Sequence, residues 1–550
     1  MKTKKLTLAV IVCVAVAFTS CSISVKDNPK DSPKTDEQTT SQEPENQTPS
    51  PEPDPAQTPT PVLSPEEIPL TLEAIDAGTI TITNPSEFTN LKYQLNGVEN
   101  VVPTTESTVN IPINAEDIIC FFADGPANED SQHLNIKCSA DCYIYGNVMS
   151  LLDSTNFKDK KEITKEKCFY YLFANNSHIK NHPSHKLLLP STTLTEFCYY
   201  YMFNGCTNLT KAPELPATTL TKSCYSHMFE GCTNLTTAPE LLATNLAESC
   251  YAYMFHACHS LVFAPELPAT SLAKGCYSDM FNSCSELKSA PELPATTLAE
   301  SCYSGMFLGC FNLKAAPKLQ TTTLAKACYV AMFMACTNLK TPPELPATTL
   351  AESCYSSMFN QCTCLETPPT LPATTLVKNC YNQMFWGCAS LKTTPELPAT
   401  TLAESCYSEM FMKCISLKIT PELPANTLAE ECYRSMFYDC TNLETVSAIS
   451  ATTLAKGCCA EMFLGCEKIT TAPDLLANTL VDNCYLRMFC GCLSLNYIKC
   501  HSQIPFNEKY TEDWLFGVSS TGTIIKDPSW VIWVTGSTTI PEGWTIQFEQ

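Results

Sequence analysis

Residues 293–318 read L-P-A-T-T-L-A-E-S-C-Y-S-G-M-F-L-G-C-F-N-L-K-A-A-P-K, and this 26-residue phrase recurs along most of the chain. Cys198, Cys224, Cys250 and their successors to Cys484 stand 26 residues apart. Each is followed eight residues later by a second cysteine, from Cys206 to Cys492. Cys168 heads a further unit, with Asn176 in place of the second cysteine and a four-residue insertion before the next unit. Cys142 stands one period upstream and is a candidate head of a degenerate unit. Twelve registers without a slip predict a solenoid, in which each unit buries its apolar side against its neighbours.

Within one unit, Leu298, Cys302, Tyr303, Met306 and Phe307 fall at i, i+4, i+5, i+8 and i+9, the spacing of one helix face. Thr297 at the N-cap with Glu300 three residues later predicts a capping box. The same pair recurs at Thr349/Glu352, Thr401/Glu404 and Thr427/Glu430. Gly309 stands where a helix C-cap belongs, and glycine recurs there in six of the twelve Cys-pair units. The expectation is a helix of about three turns per unit. Leu313 to Pro317 then reads as a strand of about three or four residues, because Pro317 has no N–H to donate. Strands stack at about 4.8 Å and helices at about 8–10 Å, a mismatch that would curve the stack.

The pattern F-x-G-C-x-x-L-x-x-x-x-x-L-P, as in Phe203 to Pro216, resembles the BspA-like leucine-rich repeats of bacterial surface proteins. It is most similar to the Cys/Met/Phe-rich variant of Bacteroides-type lipoproteins. The resemblance covers residues 142 to 500, about two thirds of the chain. It implies an α/β fold: a curved leucine-rich-repeat solenoid of 26-residue units, each a short strand plus a helix, flanked by small β caps. It also implies adhesion at a cell surface, with no catalytic residues and no cofactor.

The cysteines invite a disulfide in each unit, but eight residues along a helix span about 12 Å. A disulfide needs Cα atoms within about 7 Å. The reading that follows is of thiols acting as small buried hydrophobes. Zinc is disfavoured because C-x₇-C is not a zinc spacing. Cys120 and Cys138 lie upstream of the repeats, and a bridge between them stays open.

Charge runs in rows along the repeat. Lys222, Glu248, Lys274, Glu300, Lys326, Glu352, Lys378 and Glu404 alternate in sign, which predicts pairing between adjacent units and a fixed register. A second row includes Glu214, Glu240, Glu266 and Glu292; a third includes Lys288, Lys314 and Lys340. These two rows are candidates for contacting a partner, or for neutralising each other on a solvated face.

The ends read differently. Lys2, Lys4 and Lys5 precede an apolar stretch from Leu6 to Phe18, too short to span a bilayer. Phe18-Thr19-Ser20-Cys21 resembles a lipobox, with a signal peptide at 1–20 and lipid on Cys21. Residues 21–67 are the anchor and a Pro/Thr/Glu-rich tether that lacks the apolar surface to fold. As extended polyproline it reaches on the order of 100 Å. Residues 68–141 alternate apolar and polar, with Asn96-Gly97 as a hairpin signal, and read as a small β-domain. The solenoid then occupies 142–506. The last segment, 507–550, holds Trp514, Trp530, Trp533 and Trp544 and reads as a β cap. Trp530 and Trp533 are candidates for stacking on a glycan.

Composition narrows the function. The 550 residues carry a formal charge of −22, with arginine only at Arg434 and Arg487, so a nucleic-acid partner is disfavoured. His178, His182 and His185 cluster in the insertion, but Pro183 interrupts them and no H-E-x-x-H occurs. Neither a nucleophile elbow nor a phosphate loop is present. The expected function is a non-enzymatic outer-membrane lipoprotein displayed on the cell surface, whose solenoid binds an extracellular protein. Glycan capture and a passive surface coat are the alternatives.

Overall fold

A computed structural model describes residues 63–127, 133–502, 508–526 and 540–548. The leader, Cys21, nearly all of the tether, Trp530 and Trp533 lie outside the described residues.

The first part is a pair of β-sheets. Its strands are Leu70–Ala74 (β1), Gly78–Thr83 (β2), Lys92–Leu95 (β3), Val98–Val101 (β4), Thr108–Ile113 (β5), Ile118–Phe122 (β6), Asn135–Cys138 (β7) and Cys142–Asn147 (β8). Two short strands of the first repeat, Ile179–Asn181 (β9) and Leu187–Leu188 (β10), extend the larger sheet, which runs β10-β8-β1-β6-β3-β4 with β9 also on β8. The smaller sheet is β5-β2-β7. Alternation places Leu70, Leu72, Ile80, Ile82, Ile119 and Phe121 in the core. Asn96 and Gly97 both have positive φ (49° and 80°) and close the β3–β4 hairpin, as their sequence predicts. Cys142 begins β8 and does not head a coil. Cys120 and Cys138 are free thiols on strands of different sheets.

Beyond Cys168 each unit is one coil of a solenoid, but it contains no helix. Residues 301–310 form a run of overlapping turns in which every fourth residue is left-handed: Ser301 (φ 54°), Gly305 (φ 61°) and Gly309 (φ 69°). Hydrogen bonding alternates along the run. Cys302, Ser304, Met306, Leu308 and Cys310 donate N–H to the carbonyl three residues back. Ser301, Tyr303, Gly305, Phe307 and Gly309 donate instead to Lys326, Cys328, Val330, Met332 and Met334 of the next coil. Half the donors thus close turns and half join coils, so each backbone N–H of the run is satisfied, as burial requires.

This corrects the predicted helix per unit. A helix satisfies its donors internally and keeps its neighbour about 8–10 Å away. The turn ladder needs its neighbour at sheet-like spacing. Stacked Phe rings, from Phe173 to Phe489, have centroids 5.5–5.8 Å apart. The expected capping box is absent too. Thr297 bridges to Ser271 of the previous coil, and Glu300 pairs with Lys274 at 3.3 Å. The predicted strand at 313–317 reduces to single bridged residues such as Ala315↔Thr341. Since both walls stack through hydrogen bonds between coils, the spacing mismatch that argued for curvature is gone.

The interior is a set of columns. Cys302, Tyr303, Met306, Phe307, Cys310 and Leu313 are all at most 2% exposed, and their counterparts stack above and below. Tyrosine rings run unbroken from Tyr199 to Tyr433; Cys459 then takes the position, and Tyr485 follows. The second cysteine of every pair points its thiol at a phenylalanine carbonyl of the preceding coil, as Cys310 does at Phe281 O (3.2 Å) and Cys466 at Phe437 O (3.0 Å). That carbonyl already accepts an N–H, so the thiol takes its second lone pair.

Both ends are closed by departures from the repeat. Asn176 is 1% exposed, donates from Nδ2 to Ile136 O and accepts the Cys138 N–H at Oδ1, which ties the first coil to β7. At the other end Tyr485, Arg487, Phe489 and Gly491 donate to Tyr510, Glu512, Trp514 and Phe516, so this segment stacks as one more coil. It contains the four-residue helix Glu508–Thr511 (α1). Tyr497–Cys500 (β11), Gly522–Lys526 (β12) and Trp544–Phe548 (β13) complete a parallel three-stranded sheet.

Candidate functional site

The alternating charge row is consumed internally. Lys222–Glu248 (3.4 Å), Lys274–Glu300 (3.3 Å), Lys326–Glu352 (3.0 Å) and Lys378–Glu404 (2.7 Å) each join adjacent coils. Glu430–Lys456 and Asp482–Lys509 continue the row. These pairs are half-exposed, so each contributes at most about 1 kcal/mol and mainly favours one register.

The candidate binding rows behave differently. Glu214 pairs with Lys186 at 2.9 Å. Glu240, Glu266 and Glu292 are exposed and make no ion pair among the described residues. Lys288 and Lys314 are equally exposed and unpaired there, while the Glu366 carboxyl is held down by its bond to Lys392 and, more weakly, by the charge of Lys340. Further along, the lysine row neutralises itself, with Lys392 on Glu366 and Lys418 on Glu444. The carboxylate and ammonium rows therefore do not neutralise each other. They stand as two stripes offset along the stack, which share only the coil of Lys288 and Glu292 and are fixed by buried neighbours such as Leu293 and Leu313.

An aromatic ribbon occupies the outward edge of the first coils, a feature the sequence reading missed. Tyr171, Tyr201, His227 and Tyr253 take one left-handed turn position in four successive coils (φ 56–57°). Their rings stack at 4.6, 4.3 and 4.6 Å, and His133 continues the stack below Tyr171. Bulky residues rarely accept this backbone region. The later coils fill the position with residues such as Asp279, Gly305, Ala331 and Ser357. Beside the ribbon, Glu230 is bonded to both His227 (2.6 Å) and His256 (3.0 Å). Burial pushes its carboxyl pKa up, but these bonds outweigh burial and hold it down at about 2. The signal was available as Tyr-Tyr and His at equivalent repeat positions.

The insertion after the first coil makes a cleft. β8 spans Ile144 to Gly146 while the partner chain runs from Asn181 to Leu187, so four extra residues bulge outward. The bulge is pinned. His182 Nδ1 accepts the N–H of His185 (2.9 Å) and of Ser184 (3.1 Å), which leaves Nε2 facing Glu73 at 3.7 Å. Burial lowers the His182 pKa. Tyr145 donates to the same Glu73 carboxylate and stacks on His185. His178 is drawn away to Asp141 (3.0 Å), so the three histidines do not converge. The resulting cleft has a volume of about 640 Å³. Leu187, Leu188, Leu189, Pro190, Pro213 and Ala212 form its apolar wall, and Lys161, Lys186, Lys211, Glu66 and Glu214 lie at its polar edge.

No family model matches the chain, and no curated protein matches it. Among solved structures it is similar to a leucine-rich repeat protein from Bacteroides ovatus, with 16% identity, 68% of this chain and 92% of that chain covered, and a TM-score of 0.31. It is also similar to a chain of a TLR13–ssRNA13 complex, with 11% identity, 57% and 50% coverage, and a TM-score of 0.20.

Proposed function

We propose that this leucine-rich-repeat chain is a non-enzymatic interaction scaffold: a lipoprotein anchored through Cys21 in the outer membrane, lifted off it by its tether, and displayed on the cell surface to adhere to an extracellular protein. The observation that carries this reading is the pair of exposed stripes that make no ion pair among the described residues, Glu240/Glu266/Glu292 and Lys288/Lys314. A passive coat has no need of charge left unpaired where the neighbouring row pairs so regularly. Charged stripes at a fixed spacing instead suit a partner of complementary charge pattern, with salt-sensitive encounter. An RNA ligand does not fit a chain of formal charge −22.

The test is a binding screen of the Cys21→Ser chain against arrays of host and microbial surface proteins. We expect a saturable hit that weakens by about tenfold when Glu240, Glu266 and Glu292 are all changed to Gln, or when salt rises from about 0.1 to 0.5 M. Binding indifferent to both changes would remove the stripes from the interface. Incorporation of labelled palmitate into the wild type and not into Cys21→Ser tests the anchor separately.

A further inference from the structure

We infer that the cleft beside the insertion is a binding site for a small amphiphilic carboxylate, with an apolar body of about twenty to thirty non-hydrogen atoms and one anionic head. Its volume of about 640 Å³ falls within the range that encloses ligands of that size. The wall is aliphatic and prolyl, from Leu187–Leu189, Pro190, Pro213 and Ala212. Such a wall favours an apolar body through area removed from water, while Asn181, His182, Ser184, His185 and Thr192 add polar groups to the lining.

The charge at the edge selects the head group. Three lysines meet two carboxylates there, and Lys186 is already engaged by Glu214. Lys161 and Lys211 are exposed and make no ion pair among the described residues. In a chain with 56 acidic and 34 basic residues, a locally cationic edge runs against the whole molecule. Lys211 is also held in place. Asn181 accepts its N–H at 3.0 Å and donates to its carbonyl at 2.9 Å, so both its backbone groups are fixed. The bulge is held through His182 and Tyr145, so the cleft is built before any ligand arrives. A preformed cleft loses less ordering entropy on binding than one that must assemble.

The test uses the Cys21→Ser chain and 11-(dansylamino)undecanoic acid, whose emission rises in an apolar site. We expect saturable one-site uptake. Changing Lys161 and Lys211 together to Glu should weaken it by about tenfold, and the probe's methyl ester should bind the unaltered chain about tenfold more weakly. Leu188→Trp, which narrows the cleft, should weaken uptake by about tenfold while an unchanged urea midpoint shows that the chain is folded. Absence of uptake by the folded chain overturns the proposal. Equal affinity for acid and ester, or for the lysine variant, overturns the assignment of the anionic head. Uptake undiminished in a folded Leu188→Trp variant places the probe elsewhere and overturns the site. Because both lysines are exposed, their variant remains informative if the Trp variant fails to fold.

Discussion

Ser353 sits in the left-handed region at φ 55°, one of three such positions in its coil with Ser357 and Gln361. An L-residue there costs roughly 1–2 kcal/mol in a helix context, and a β-branched side chain suffers most. The ladder tolerates this because the Ser353 N–H is bonded to the Lys378 carbonyl of the next coil. Ser353→Gly should therefore leave the urea midpoint nearly unchanged, while Ser353→Val should lower stability by about 1–2 kcal/mol. Equal effects of Gly and Val would mean that backbone strain is not what limits this position. At Gly305 the constraint is also steric, since a Cβ would lie 2.3 Å from Asp279 Oδ1 of the preceding coil.

At the scale of the element, the cysteine columns explain why this residue recurs. The second cysteine must fill a narrow column and still offer a weak donor to a phenylalanine carbonyl. Alanine lacks the donor, and valine is too wide for a packed column. Burial pushes the Cys336 and Cys440 thiols up to about 12, and the Cys302 and Cys354 thiols to the same level. Their thiolate fraction at neutral pH is therefore negligible in the folded state. Brief alkylation with iodoacetamide near pH 8, read by peptide mass spectrometry, should mark the partly exposed Cys120, Cys364 and Cys490 before any column cysteine, and leave Cys302, Cys336 and Cys440 unmarked until urea unfolds the chain. Early marking of Cys336 would show that the columns open well below global unfolding.

For the whole molecule, the consequence of near-identical coils is modularity. Each coil bonds only to its two neighbours through the turn ladder and the bridges, as 301–309 do to 326–334. Stability is then approximately a sum over coils and their interfaces. Removing residues 321–346, one full period, should leave a folded and slightly less stable chain, because Thr321 and Ala347 stand at equivalent positions. Removing half as many residues from the same place should lower and broaden the unfolding transition followed by tyrosine fluorescence, since the coils on either side of the cut can no longer bond to each other in register. Equal tolerance of both deletions would contradict a register-locked solenoid. The sealed ends matter at this scale as well. Asn176 and β7 close one face of the stack, and the coil around Trp514 closes the other. Open faces would present rows of unpaired N–H and C=O groups to other chains.

The sequence by itself determined the period, the number of Cys-pair units and the contents of the core. Repetition is written in identity, so Cys198 to Cys492 needed no coordinates to be placed in register. The pairing of Lys326 with Glu352 followed from alternation of sign. The conformation of the unit was decided only by the tertiary structure. Cys302-Tyr303, Met306-Phe307 and Cys310 recur with a period of four, which departs from a helix by about 40° every four residues and is lost within a wide apolar face. What separates the two is where the N–H of Tyr303 goes, and its acceptor is Cys328 O in the next coil. The cleft was hidden for a similar reason. The four-residue insertion was legible, but the convergence of Lys161, Lys186 and Lys211 on one edge depends on β8 holding both ends of the bulge. Local sequence states which groups must be buried or bonded; only the stacked neighbour settles with what.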